Sequence, residues 1–118
     1  MKHHYKIDEL KNIINKFVAN RNWNQFHSPK NLSMALSAET AEIIEIFQWL
    51  SEEQSYKLDK TKREMLKQEI GDVMIYLTNL ASKYNIDPIE AALNKMELNA
   101  KKYPVAKSKG NMKKYNEY

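Results

Sequence analysis

The chain has no cysteine, only two glycines and three prolines among its 118 residues, and no long hydrophobic run. Without cysteine it can form no disulfide, no zinc–thiolate site and no cysteine nucleophile. Few helix-breaking residues and 42% hydrophobic residues are typical of a compact all-α protein. No apolar run approaches the ~20 residues that span a bilayer, and the amino-terminal stretch lacks the apolar segment of a signal peptide. We therefore expect a cytoplasmic protein that does not enter a membrane.

The length and the distribution of charge indicate one domain with a basic end. A chain of 118 residues can bury a core, but it is short for a self-contained active-site cleft, which favours assembly from several chains. Much of the positive excess in the net charge of +4 lies after residue 100. We divide the chain into a domain, residues 1–103, and a basic tail, residues 104–118, expected to be solvated or to close over phosphates. Because there is no zinc-finger spacing and no arginine-rich helix, we do not expect a nucleic-acid partner.

Apolar residues at three- and four-residue steps predict four main helices. These extend from about Tyr5 to Asn20, from Asn31 or Leu32 to Ser51, from Lys62 to Tyr84 and from Pro88 to Tyr103. Asp87 is expected to cap the last helix, with Pro88 at its first position. Between the first two helices lies a loop rich in aromatic and amide side chains. There, Trp23 and Phe26 either stack on a flat ligand or cap the bundle.

Two pairs of acidic residues are spaced three residues apart in the predicted second and third helices. Glu39 and Glu42 form the first pair, and Glu69 and Asp72 form the second. An α-helix advances ~100° per residue, which puts each pair in the apolar stripe of its helix. Carboxylates there are costly and raise one another's pKa, and a divalent cation would remove that cost if the two helices pair antiparallel. The alternative is a buried ion network, but apart from Lys62 neither stripe carries a basic residue near the acids.

Two further features suit a ligand beside such a cation. Trp49 projects from the Glu42 side of the predicted stripe, where a ligand over the metal would extend. Lys95, Asn99 and Lys102 recur at i, i+4 and i+7 along the last helix. Ammonium and amide donors in such a row complement phosphate oxygens, although a lysine row on a helix is usually a solvated face.

The acid pairs and three other segments resemble a known family. Glu-x-x-Glu, a spacer and then Glu-x-x-Asp is the hallmark of the all-α nucleotide pyrophosphohydrolases of the MazG-like group, within which the chain is most similar to the dCTP pyrophosphatase type. The similarity continues through Phe-His-Ser-Pro at residues 26–29, Glu-Ile-Phe-Gln-Trp at 45–49 and Lys-x-x-x-Asn-x-x-Lys-Tyr-Pro at 95–104. Two residues depart from the family pattern. Lys30 occupies a position that is often arginine, and Gln68 occupies one where an acid is common. The missing acid at Gln68 leaves the number of metal ions open.

The resemblance implies a bundle completed by oligomerisation, as a dimer or a dimer of dimers. It also implies hydrolysis of a nucleoside triphosphate, dCTP or a related or modified deoxynucleotide, to the monophosphate and pyrophosphate in nucleotide-pool house-cleaning. Mg²⁺ would be held by Glu39, Glu42, Glu69 and Asp72. The residues implied around the nucleotide are Trp23, His27, Lys30, Asn31, Trp49, Tyr76, Lys95, Asn99, Lys102 and Tyr103.

The mechanism we expect is attack of a metal-activated water on a phosphorus, with Glu39 and Glu42 as catalytic residues. Glu45, one turn after Glu42, either assists that water or is a solvent-facing helix acid. Two other functions remain open. The first is a non-catalytic helical oligomer that serves as an interaction module. The second is a related pyrophosphohydrolase acting on dUTP or phosphoribosyl-ATP, because base discrimination depends on a few hydrogen bonds that the sequence does not reveal.

Overall fold

The computed structural model describes residues 6–118 and contains no β-strand in that range. The four long helices are α1 (Ile7–Asn20), α2 (Pro29–Phe47), α4 (Lys60–Ser82) and α5 (Pro88–Lys102). The short elements are α3 (Glu52–Ser55), α6 (Val105–Ser108) and two single-turn 3₁₀ helices, Asn24–Phe26 and Tyr115–Glu117. The predicted all-α class with four main helices is confirmed. The predicted start of the first helix at Tyr5 lies outside the described residues.

The second helix begins and ends earlier than predicted. It begins at Pro29 because Ser28 is its N-cap, with Ser28 Oγ accepting a hydrogen bond of 3.1 Å from the Asn31 amide. It ends at Phe47, and not at Ser51, because Ser51 caps the next helix instead. Ser51 Oγ accepts a hydrogen bond from the backbone N–H of Gln54, and Gln54 Oε1 accepts one from the backbone N–H of Ser51. Trp49 therefore lies in the turn after α2.

Local side chains also fix the limits of α4 and α5. Asp59 caps α4, with Asp59 Oδ1 accepting from the Lys62 amide at 2.8 Å. Asn85 then takes a positive φ of 53°, a conformation that asparagine tolerates better than most residues, and turns the chain toward the next helix. Asp87 accepts from the amides of Ile89 and Glu90, and Pro88 is the first residue of α5. The predicted cap of the last helix is confirmed.

The core is small and centres on α4, against which both α1 and α2 pack. Its buried apolar side chains are Ile14 and Val18 of α1, Leu32 and Ile46 of α2, and Ala81 of α4. Two polar residues of α4, Thr78 and Asn79, are also buried. No helix within residues 6–118 is both long enough and apolar enough to cross a bilayer.

A large share of the apolar surface stays exposed. The accessible surface is 10069 Å², whereas a compact 13.9 kDa chain exposes ~6,700 Å². The radius of gyration is 17.8 Å, compared with ~13 Å for a compact domain of this length. Helix α5 packs only weakly on α4 and has no buried residue. The exposed apolar side chains of these two helices include Ile70, Met74, Ile89, Leu93, Met96 and Leu98.

The basic tail folds back onto the end of α5. The rings of Tyr115 and Tyr118 each meet the Tyr103 ring edge-on, with centroids 6.1 Å apart. Lys102 Nζ lies 5.0 Å from the centroid of the Tyr115 ring. Ser108 Oγ donates to the carbonyl oxygen of Pro104 at 2.7 Å, which closes the first turn of the tail. The tail thus contacts the end of the preceding domain, and the division at residue 103 remains a prediction.

Candidate functional site

Packing of α2 against α4 brings the two acidic pairs together. One carboxylate oxygen from each of Glu39, Glu69 and Asp72 lies within 4.8 Å of the others, a spacing that a single cation could bridge. Glu42, one turn after Glu39, is exposed and contributes no oxygen to this group. It is nevertheless close enough to interact with both Glu39 and Glu69. We call Glu39, Glu42, Glu69 and Asp72 the acid cluster.

Two oxygens of the acid cluster are buried without a partner. Glu39 Oε2 and Glu69 Oε2 are inaccessible to solvent, and neither has a hydrogen-bond donor among the described residues. No lysine or arginine there neutralises them, which argues against the buried ion network that the sequence left open. A carboxylate oxygen that is buried and unpaired costs free energy unless a cation meets it. The acid cluster therefore fits a divalent cation held by oxygen ligands.

The pKa of three of these carboxyl groups is raised by the combined effect of hydrogen bonds between the groups, burial and like charge. Hydrogen bonding with Glu69, followed by the negative charge of Glu69, raises the pKa of Glu42. Hydrogen bonding with Glu39, together with burial, raises the pKa of Glu69. Hydrogen bonding with Glu69 alone would lower the pKa of Glu39, but burial and the charges of Glu42 and Asp72 outweigh it and raise that pKa. Without a cation, the acid cluster holds protons more tightly than isolated carboxylates do.

A cleft of about 300 Å³ lies beside the acid cluster, between α1 and α4. Asp72 belongs to both, so the cleft opens directly onto the carboxylates. One wall is apolar and comes from α1, and the other comes from α4 and from the loop after α1. The lining includes Leu10, Ile13, Phe17, Trp23, His27, Asp72, Ile75, Tyr76 and Asn79.

Aromatic side chains cluster around Trp23 at one end of the cleft. The Trp23 ring meets Phe17 edge-on at 5.7 Å between centroids and lies 6.3 Å from the His27 ring. The guanidinium carbon of Arg21 is 3.6 Å from the Phe17 centroid and steadies that side chain from outside. Trp23 is thus placed to contact a ligand, whereas Phe26 is exposed and does not line the cleft.

A buried amide of the cleft was missed by the sequence analysis. Asn79 is 3% exposed, and its Nδ2 lies 3.3 Å from His27 Nδ1. The signal was present in the spacing, because Asn79 follows Tyr76 by three residues and Asp72 by seven and so shares their helix face. The apolar wall from α1 was also missed, because its residues were assigned to the core.

Of the ten predicted nucleotide-contacting residues, Trp23, His27 and Tyr76 line the cleft and seven do not. Asn31 holds the loop, with its Nδ2 donating to the carbonyl of Phe26 at 3.0 Å, and Lys30 beside it is exposed. The remaining five are Trp49, Lys95, Asn99, Lys102 and Tyr103.

Trp49 does not lie where the helical spacing put it. Helix α2 ends at Phe47, so the prediction that Trp49 projects from the stripe of this helix is wrong, and the indole is 87% exposed. Glu45 is an exposed acid of α2. On α5, Lys95 and Lys102 are exposed and Asn99 is half-buried. The structure of one chain therefore keeps the α5 row and Trp49 apart from the cleft.

Comparison with known proteins identifies the family. The profile of the MazG-like family matches residues 34–118, which include the acid cluster. The chain belongs to the MazG-like family. The predicted resemblance to this group, which rested on the acid pairs and on three other segments, is therefore confirmed.

Individual relatives of this MazG-like chain agree with that assignment. It is 37% identical over 111 residues to mouse dCTP pyrophosphatase 1, covering 92% of this chain and 65% of that protein. It is 35% identical over 113 residues to the human protein of the same name, covering 94% and 66%. The chain thus spans just under two thirds of the length of these relatives. The solved structure of a pyrophosphatase from Archaeoglobus fulgidus matches with a TM-score of 0.79 and 41% identity, covering 88% of this chain and 97% of that one.

The raised pKa values predict how the metal-free MazG-like chain responds to pH. A carboxyl group whose pKa is higher in the folded state stabilises the fold fully below its unfolded pKa, and loses that contribution as the pH rises through the folded value. We therefore expect the melting temperature in chelator to fall from mildly acidic to neutral pH, and a divalent cation to restore it. Thermal unfolding followed by circular dichroism measures both effects.

The matched variants are Glu69→Gln and Glu64→Gln, both on α4. Glu69→Gln removes one charge from the acid cluster. The melting temperature of this variant should therefore fall less as the pH rises, and it should increase less when the cation is added. Glu64 is exposed and outside the cluster, so Glu64→Gln should behave as the wild type. Identical pH and cation responses in all three proteins would contradict the strain that we ascribe to the acid cluster.

Proposed function

We propose that this chain is a Mg²⁺-dependent nucleoside triphosphate pyrophosphohydrolase, which releases a monophosphate and pyrophosphate and so removes unwanted nucleotides from the pool. One observation carries the proposal: carboxylate oxygens of Glu39, Glu69 and Asp72 lie within 4.8 Å of one another, and Asp72 also lines an aromatic cleft. Glu39 and Glu69 each have a buried oxygen without a partner. Cation-bound phosphates at the carboxylates and a flat ring in the cleft fit this arrangement. Relatives named dCTP pyrophosphatase 1 support the same activity.

The proposed substrate is dCTP or a related or modified deoxynucleoside triphosphate. The cleft of about 300 Å³ is at the small end of the ~300–1,000 Å³ typical of ligand pockets. A single pyrimidine ring fits within that volume. A dUTP substrate remains the alternative within this class, because cytosine and uracil differ in few hydrogen-bonding groups.

The residues of the acid cluster would hold Mg²⁺, and each of the four offers the hard oxygen ligand that this ion prefers. When bound, the cation would supply positive charge that opposes the charge of the phosphate oxygens. Glu39 and Glu42 are the catalytic residues that we propose on α2. Glu45, an exposed acid one turn after Glu42, is the group that we propose accepts the proton of the attacking water. The water oxygen then bonds to phosphorus as the bond to the departing pyrophosphate breaks.

The remaining nucleotide contacts require a second copy of the chain. Trp23, His27 and Tyr76 would hold the base and sugar, since they line the cleft beside Asp72. The other predicted contacts do not line that cleft, and the apolar faces of α4 and α5 are exposed. We propose that a homo-oligomer, a dimer or a dimer of dimers, covers these faces. A neighbouring subunit would then bring the missing groups, which are Lys30, Asn31, Trp49, Lys95, Asn99, Lys102 and Tyr103.

Assembly is tested by the mass of the particle in solution. Light scattering at micromolar concentration should give at least twice the 13.9 kDa of one chain, because exposed apolar helix faces are stabilised by burial. Leu93→Glu places a charge on the apolar face of α5 and should lower the mass. Asn94→Glu, also exposed on α5, is the matched control and should leave it unchanged. A 13.9 kDa wild-type particle would refute the oligomer.

Activity is tested with a panel of purified deoxy- and ribonucleoside triphosphates in Mg²⁺, scored separately for pyrophosphate and for phosphate. The wild type should release pyrophosphate, fastest from a pyrimidine deoxynucleotide. Ala substitution of any member of the acid cluster should lower turnover by about a hundredfold or more, because each removes a proposed cation ligand. Glu64→Ala on α4 is the control. A folded wild-type oligomer that cleaves no nucleotide would favour the non-catalytic interaction module.

The exposed Trp49 gives a test of base stacking across subunits. Trp49→Ala should raise KM for the preferred triphosphate more than it lowers kcat, because stacking on a base contributes ~1–3 kcal/mol of largely uniform binding. An indole that is 87% exposed supports no core of its own chain, so the melting temperature should change little at a concentration that maintains the oligomer. Tyr56→Ala, at a ring that is 88% exposed, is the matched control. A stable Trp49→Ala protein with wild-type KM would remove Trp49 from the base site.

A further inference from the structure

The amide of Asn79 lies at the buried side of the cleft, where polar side chains are few. Asn79 comes from α4 and His27 comes from the loop after α1, so their contact joins parts of the chain that are 52 residues apart. Asn79 Nδ2 lies 3.3 Å from His27 Nδ1, and both residues line the cleft. The amide is almost fully buried while the imidazole is half-exposed. One ring nitrogen of His27 therefore has a fixed partner and the other faces away from it.

The Asn79 NH₂ group faces His27 Nδ1, and this orientation of the amide implies a position for the ring proton. An amide NH₂ group can only donate a hydrogen bond, so a neutral imidazole that meets it must accept through Nδ1. The proton of the ring is then on Nε2. No described residue accepts a hydrogen bond from Nε2. His27, which lines the cleft, thus carries one N–H donor on a ring that stands beside Trp23.

We propose that Asn79 is a positioning residue that fixes His27 as an Nε2–H donor, and that this donor selects ligand rings that present a hydrogen-bond acceptor to it. The acceptor would be a carbonyl oxygen or an unprotonated ring nitrogen of a base. The selectivity rests on the proposed function, since it requires that the cleft receives the base. The orientation of the imidazole does not require it. If Asn79 had only a structural role, its substitution would leave the tautomer of His27 and the preference among bases unchanged.

The first experiment reads the tautomer directly, without any substrate. In the metal-free protein, ¹⁵N-edited NMR of the imidazoles should show the Nε2–H form for the neutral His27 ring, with its signals identified by their loss in His27→Gln. In Asn79→Asp, the carboxylate can only accept, so the neutral ring should change to the Nδ1–H form. Thr78→Val is the matched control, because Thr78 is buried next to Asn79 in the sequence but does not line the cleft. This variant should keep the wild-type tautomer of His27. An Nδ1–H ring in the wild type, or the same tautomer in Asn79→Asp, would overturn the positioning role.

The second experiment asks whether the donor is used by the ligand. With dCTP and Mg²⁺, Asn79→Asp should raise KM by about tenfold, the size of one lost hydrogen bond, while kcat changes much less. Asn79→Ser, whose hydroxyl can donate or accept, should give a smaller rise and serves where Asn79→Asp does not fold. Thr78→Val should retain the wild-type KM. A changed tautomer with an unchanged KM and an unchanged preference among the nucleotides would refute the selection of acceptors.

The two experiments separate failure of this inference from failure of the proposed function. If the wild type turns over no nucleotide, the pyrophosphohydrolase proposal and the selection of bases both fail, while the NMR result still decides whether Asn79 orients His27. If the wild type is active and Asn79→Asp keeps both the tautomer and KM, the inference alone is wrong.

Discussion

Like-charged carboxylates held within the contact between α2 and α4 are the constraint on which the rest of the site depends. Packing of the two helices buries one oxygen each of Glu39 and Glu69 without a donor, so the fold places charge where a purely structural protein would place an apolar or a paired side chain. The pKa values of Glu39, Glu42 and Glu69 are raised because these carboxyl groups lie close together and are partly removed from water. A divalent cation bound between the carboxylates would stabilise this arrangement, because its positive charge would offset their mutual repulsion.

Helix α4 connects the acid cluster to the cleft. Asp72, Tyr76 and Asn79 follow one another at i, i+4 and i+7, so a single face of one rigid helix carries a cluster carboxylate, an aromatic ring and a buried amide. The distance between the acid cluster and the groups that would hold a base is therefore fixed by helix geometry and does not depend on a loop. His27 and Trp23 come from a loop, but Asn79 and Phe17 hold them from two sides. The cleft is thus built mainly on one helix, with the two loop residues held against it and against α1.

The sequence predicted those features that depend on helix period, on capping residues and on one pairing of helices. The acid pairs on the apolar stripes follow from steps of three or four residues. The Asp87 cap of α5 follows from Asp-Pro at the helix start, and the meeting of Glu39 with Glu69 and Asp72 follows from the pairing of α2 with α4. The end of α2 was predicted too late, because the cap at Ser51 competes with continuation of the helix. The cleft was not predicted, because a residue such as Phe17 looks the same in sequence whether it faces a core or a cavity. Asn79 was missed because its partner is 52 residues away.

The open shape of one chain explains why the predicted ligand set is divided. Helix α5 carries the row of Lys95, Asn99 and Lys102 but packs weakly on α4, and it presents apolar side chains such as Leu93 to solvent. A helix whose apolar face is uncovered gains little stability from its own chain. Its order must then come largely from what covers it. If another subunit does so, the row that we propose for phosphate binding would be positioned only in the assembled protein. The negative charge of the acid cluster and the positive charge of the lysines would then meet across the interface. The same assembly would thus stabilise α5 and complete the site.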